Sequence, residues 1–90
     1  MTRTIYDAAA NEMEKLLIEN NIGYNRLQIY DGWQFYIDGT DGDIICHGDS
    51  YGGKDGLWES MGFVWDYMGD VTGYLTAQEV INRLKENYGM

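Results

Sequence analysis

Proline does not occur in the 90 residues, and cysteine and histidine occur once each, as Cys46 and His47. Without proline, no helix or strand is kinked or ended by a missing backbone N–H. A lone cysteine excludes an internal disulfide and suits a reducing compartment. One Cys with one His falls short of the roughly four ligands of a structural zinc site. No apolar run approaches the roughly 20 residues that span a bilayer. The N-terminal "MTRTIYDAAANEMEK" lacks the apolar segment of a secretion signal. The expectation is a soluble, cytoplasmic chain with no cofactor and no metal.

Basic residues are also scarce, six against fifteen acids, and the imbalance is local. Ten acids lie between Asp31 and Glu79, where the one basic residue is Lys54. The flanking segments carry five acids and five bases, so the middle holds the whole net charge of -9. Direct binding of nucleic acid by that middle is disfavoured, because phosphates would be repelled. A basic protein or a cation is the favoured partner.

What the sequence does contain is apolar mass and turn residues. Hydrophobic residues make up 44% and aromatics 14%, which argues against a disordered chain despite its charge. Ninety residues are expected to form one domain, spanning 1–90. Ile5, Ala9, Met13, Leu16 and Leu17 recur at helical spacing, which predicts a helix over 4–20 with Thr4 and Asp7 as its cap. "YNRLQIY", "WQFYI" and "DIICH" read as three strands, the first with Leu27 and Ile29 on its apolar face. Asp31-Gly32 is the expected hairpin link between the first two. Leu57, Trp58, Met61, Val64, Trp65 and Met68 fall on one helical stripe, which predicts a second helix with Asp55 as N-cap. Gly62 would cost that helix about 1 kcal/mol relative to alanine. Thr76 and Glu79 form a capping box for a last helix, with Leu75 stapled on Val80. The order α-β-β-β-α-α predicts an α+β fold of two layers, a three-stranded antiparallel meander covered by helices. Trp58, Met61, Val64 and Trp65 are expected to be buried against the sheet.

The stretch "DGTDGDIICHGD", residues 38–49, holds the densest chemistry. It does not match an EF-hand. In a register starting at Asp38 the required glycine at position 6 is Asp43, and from Asp41 the ligand at position 5 is Ile45. Aspartate and glycine are the residues tight turns use, which accounts for the composition. Cys46 and His47 are adjacent on a strand and point to opposite faces, so they form no nucleophile–base pair. The plainer reading buries Cys46 beside Ile44 and leaves His47 half exposed. The glycine-rich "SYGGKDG" before a helix suggests a phosphate loop, but Asp55 stands where the P-loop needs Ser or Thr. No pair of carboxylates has surroundings that would split two pKa values, so no enzyme activity is expected. The remaining reading is a recognition surface of Asp31, Asp38, Asp41, Asp43, Asp49, Tyr51 and Asp55, since tyrosines among carboxylates suit an arginine-rich partner. The plainer alternative is that the charge serves solubility.

"CHGDSYGGKDGLWESMGF" and "GYLTAQEV", within residues 46–80, resemble small proteins of phages and prophages of Gram-positive bacteria. That resemblance implies a phage origin and a bacterial host cell. In size, charge and expected element order the chain is also similar to acidic type II anti-CRISPR proteins. That likeness implies binding to guide-loaded Cas9, whose PAM-reading arginines and positive duplex channel are apt targets for a DNA mimic. The expected function is a phage-encoded, non-enzymatic inhibitor of a basic nucleic-acid-handling host protein. The alternative is an accessory phage domain or oligomer.

Overall fold

The computed structural model describes residues 4–90. Helix α1 (Ile5–Glu19) starts where the sequence places it. Thr4 Oγ1 accepts the Asp7 N–H at 3.1 Å and Asp7 Oδ2 accepts the Thr4 N–H at 3.2 Å. Ala9, Ala10, Met13 and Leu17 form its buried stripe. Strands β1 (Tyr24–Ile29), β2 (Gly32–Ile37) and β3 (Asp43–Cys46) follow as antiparallel neighbours. Helix α2 (Ala77–Tyr88) carries the expected Thr76–Glu79 capping box and ends on Gly89 in the left-handed region.

Between β3 and α2 the structure differs from the expectation. The segment read as a helix is a second hairpin, β4 (Trp58–Met61) and β5 (Val71–Leu75), which completes a five-stranded sheet of order β1-β2-β3-β4-β5. The element order is therefore α-β-β-β-β-β-α. Two helices, not three, cover one face of an antiparallel sheet, and the two-layer α+β character stands.

Burial on β4 has period two, not 3.6. Trp58 and Ser60 are fully buried, while Met61 is 49%, Val64 63% and Met68 83% exposed. Trp65 is partly buried and stacks on Phe63 with ring centroids 4.4 Å apart. Asp55 closes a 3-10 turn (Gly53–Asp55) instead of capping a helix. Gly62 adopts φ +88°, and a Cβ there would lie 2.6 Å from the Asp41 carbonyl oxygen. It is a close-approach point in a turn, not a glycine in a helix interior.

The core lies between the inner face of the sheet and the helices. Phe35, Ile37, Ile44, Cys46 and Trp58 meet Met13, Leu17, Val80, Ile81 and Leu84. Trp58 packs edge-on against Phe35 with centroids 5.5 Å apart. On β1 the expected face is reversed. Tyr24 and Arg26 point inward and Leu27 is 41% exposed. Arg26 lies 4.1 Å over the Trp33 ring and pairs with Glu14 Oε1 of α1 at 3.0 Å. Tyr24 donates to Glu14 Oε2 at 2.7 Å, and this bond, with burial, raises its phenol pKa. The first hairpin turns at Tyr30–Asp31, one residue earlier than expected. Gly32 then sits in β2, where a Cβ would collide with the Cys46 carbonyl.

Candidate functional site

The meander fixes where the acidic residues go. Successive strands reverse direction, so the connections 30–31 and 47–57 lie at one end of the sheet and 38–42 and 62–70 at the other. Strands of four to six residues separate those ends by about 13–20 Å. Asp31, Asp49, Tyr51 and Asp55 gather at the first end, and Asp38 and Asp41 at the second, with Asp43 at the start of β3 beside them. The seven residues singled out in the sequence thus form two groups at opposite ends.

The first end is tightly tied. Asp31 Oδ1 accepts the Gly48 N–H at 2.9 Å, which joins the β1–β2 turn to the loop after β3. Ser50 Oγ accepts the His47 N–H and donates to the His47 carbonyl, both at 2.9 Å. Glu59 Oε1 accepts the Tyr51 N–H at 2.8 Å. These bonds hold an open cleft of about 390 Å³ lined by Asp49, Ser50, Lys54, Asp55 and Tyr74 among others. Several amides of the glycine-rich loop are spent internally. The Gly53 N–H bonds Ser50, and the Asp55 and Leu57 N–H groups bond Gly52.

Ser50, His47 and Asp49 lie close together but form no relay. His47 Nδ1 accepts the Asp49 backbone N–H at 3.1 Å, and Ser50 Oγ faces the His47 backbone instead of its ring. His47 is buried at 7% exposure and packs edge-on against Tyr30, which corrects the half-exposed expectation. The Tyr30 ring and the loop folded back by Ser50 cover it. Cys46 is buried as expected. Its thiol is pushed up to about 11 by burial and by the Asp31 carboxylate, which leaves it protonated and a poor nucleophile at neutral pH. Among the described residues no three His, Cys, Asp or Glu side chains converge as a metal-holding group.

At the second end Asp38 and Asp41 are exposed, and Asp43 accepts the Gln34 Nε2–H at 2.9 Å. The 62–70 connection is held from beneath by Asp66, which the sequence did not single out. Asp66 Oδ1 accepts from Ser60 Oγ at 2.9 Å and Thr72 Oγ1 at 2.6 Å, and its Oδ2 accepts the Phe63 N–H at 3.2 Å. Trp65 Nε1–H donates to Ser60 Oγ at 2.9 Å. Above this base Val64, Tyr67 and Met68 stand in solvent. A recognisable signal would have been "GFVWDYMGD" as a turn bounded by Gly62 and Gly69.

Charge is distributed unevenly over these surfaces. The one ion pair among the described residues, Arg26–Glu14, lies on the helical side. Arg83 also faces inward, 5.7 Å over the Trp65 ring. None of the six aspartates at or near the strand ends has a cationic partner among the described residues.

Comparison with protein-family models, with curated proteins and with solved structures finds no match. The element order used in the likeness to type II anti-CRISPR proteins is not the order of this chain, so that likeness now rests on size and charge. Among the described residues no helix is long and apolar enough to cross a membrane.

Proposed function

We propose that the chain is a non-enzymatic acidic protein that binds a basic, nucleic-acid-handling protein of a bacterial host, with guide-loaded Cas9 as the first candidate. One observation carries this reading. Asp31, Asp38, Asp41, Asp49 and Asp55 stand exposed at the strand ends, and none of them meets a cation among the described residues. Unpaired exposed carboxylates repel one another across a small surface, and a cationic partner relieves that repulsion. Protein channels that hold nucleic acid are lined with arginine and lysine for the phosphates, so they offer that complement.

The test is protection of a DNA target from a panel of guide-loaded Cas9 nucleases at two salt concentrations. An acidic mimic protects, competes with the target DNA, and weakens as salt screens the contact. Absence of protection across the panel removes Cas9 as the partner. Self-association that ignores salt would instead favour an accessory oligomer held by apolar surface.

A further inference from the structure

Both helices lie on one face of the sheet, and no helix covers the other, where Tyr51 of the 47–57 loop reaches Glu59 and Gly73. Cross-strand register places Asn25, Tyr36, Asp43, Met61 and Val71 in a row across all five strands. Leu27, Gln34, Ile45 and Glu59 form a second row beside it. Their neighbours on the inner face, Phe35, Ile44, Trp58 and Ser60, are fully buried, but Leu27, Tyr36 and Met61 are 41–49% exposed. The uncovered face is therefore apolar along Leu27, Ile45, Met61 and Val71, with two carboxylates set into it.

Those carboxylates decide what can cover the face. Asp43 is engaged by the Gln34 amide and Glu59 by the Tyr51 N–H, and neither meets a cation among the described residues. No basic residue stands in either row; Arg26, the base of β1, points to the opposite side. A second copy would bring its own Asp43, Glu59 and a net charge of -9 against the same groups. Like charges brought together at an interface are costly, so self-pairing is disfavoured. Five strands about 4.8 Å apart span about 19 Å, wide enough for one or two helices of about 10 Å diameter. The inner face already carries two.

We propose that the uncovered face docks an amphipathic helix of the partner, with its apolar stripe across Ile45 and Met61 and its arginines or lysines on Asp43 and Glu59. This deepens, and rests on, the reading of the chain as a binder of basic protein. It adds a contact on the sheet face to the charged contacts of the strand ends. Burying the apolar strip supplies affinity, and the two carboxylates select a cationic helix over a neutral one.

The probe is a synthetic peptide of about 18 residues, five helical turns of leucine and arginine with the leucines on one face. Its control has the same composition with the order scrambled, so that charge is equal and the stripe is lost. The ordered peptide should bind about tenfold tighter than the scrambled one in anisotropy titrations. Met61→Lys and Leu27→Lys should each remove that margin, with near-ultraviolet circular dichroism unchanged. Amide resonances of Ile45 and Val71 should shift on binding. Equal affinities for the two peptides would overturn the docking face and leave the charge-based reading in place. Binding of neither would overturn both. A micromolar dimer that Met61→Lys dissociates would make a second copy the occupant and overturn the assignment of a basic helix.

Discussion

Replacing Gly62 with alanine separates the two conformations its segment could take, because the effect changes sign. In the interior of a helix spanning 57–68, Gly→Ala stabilises by about 0.5–1 kcal/mol. In the observed turn the residue sits at φ +88°, and an alanine there meets two costs. The left-handed region costs a residue with a Cβ about 1–2 kcal/mol. The new Cβ also lies 2.6 Å from the Asp41 carbonyl oxygen, a backbone atom that cannot swing away. Forcing the two chains apart adds about 1–2 kcal/mol. The smaller conformational freedom of the unfolded alanine chain returns about 0.4–1 kcal/mol. The net loss is about 2 kcal/mol. Gly69 provides the control, with φ +80° and no atom within 4 Å of its added Cβ. Gly69→Ala should therefore show only the conformational part, a net loss of about 1 kcal/mol or less. Urea unfolding followed by tryptophan fluorescence measures both. A stabilised Gly62→Ala, or equal losses at the two sites, would refute the β4–β5 hairpin as described.

Asp66→Ala should cost about 3 kcal/mol, because it strands Ser60, Thr72 and the Phe63 N–H beneath the loop; the same unfolding experiment checks it, and a loss under about 0.5 kcal/mol would place Asp66 in solvent. Cys46 should be inert to a thiol reagent such as Ellman's in the native protein at pH 8 and should titrate fully in denaturant, since burial holds the thiol up at about 11; immediate reaction of the folded protein would contradict its burial. Asp7 is held below the usual carboxylate range, first by the Trp33 indole N–H at 2.8 Å and then by Thr4. Its stabilising contribution is in full above the unfolded value of about 3.9 and is lost as pH falls through the lower folded one. Asp7→Asn should accordingly flatten the stability curve between pH 5 and 2, measured by thermal melts, and an unchanged slope there would remove Asp7 from the acid transition.

The two terminal helices and the first three strands could be read from the sequence because their signals are local. Thr4–Asp7 and Thr76–Glu79 are capping pairs at fixed spacing, and Trp33, Phe35 and Ile37 alternate cleanly. The β4–β5 hairpin could not be read that way. Its four-residue strand places Ser60 inside and Met61 outside, so hydrophobicity alone shows no period of two. Met61, Val64 and Met68 fall at helical spacing only because loop and outer-face residues are also apolar. The face of β1 was misassigned for a related reason. Arg26 belongs inside, where Trp33 and Glu14 receive its guanidinium, and that pairing is visible only once α1 and β2 are placed. The aspartates of the candidate surface were identifiable by type, but their division between two ends depends on the number of strand reversals. The outer face that no helix covers needs all five strands in register before it exists at all.

Charge placement is the centre of the functional account, and paired neutralisation in the DNA-protection assay tests it most directly. Asp38 with Asp41, and Asp49 with Asp55, are exposed pairs at opposite ends whose side chains make no hydrogen bond among the described residues. Glu12 and Glu19 on α1 are an exposed pair outside the acidic segment and serve as the control. Glu14 is unsuitable because it anchors Arg26 and Tyr24. Each Asp→Asn or Glu→Gln pair removes two negative charges from the total of -9, so general charge effects match. The account predicts that at least one aspartate pair loses protection of the DNA target and flattens its salt dependence, while the Glu12/Glu19 variant protects like the parent. Equal behaviour of all three pairs, with folding intact by circular dichroism, would contradict it.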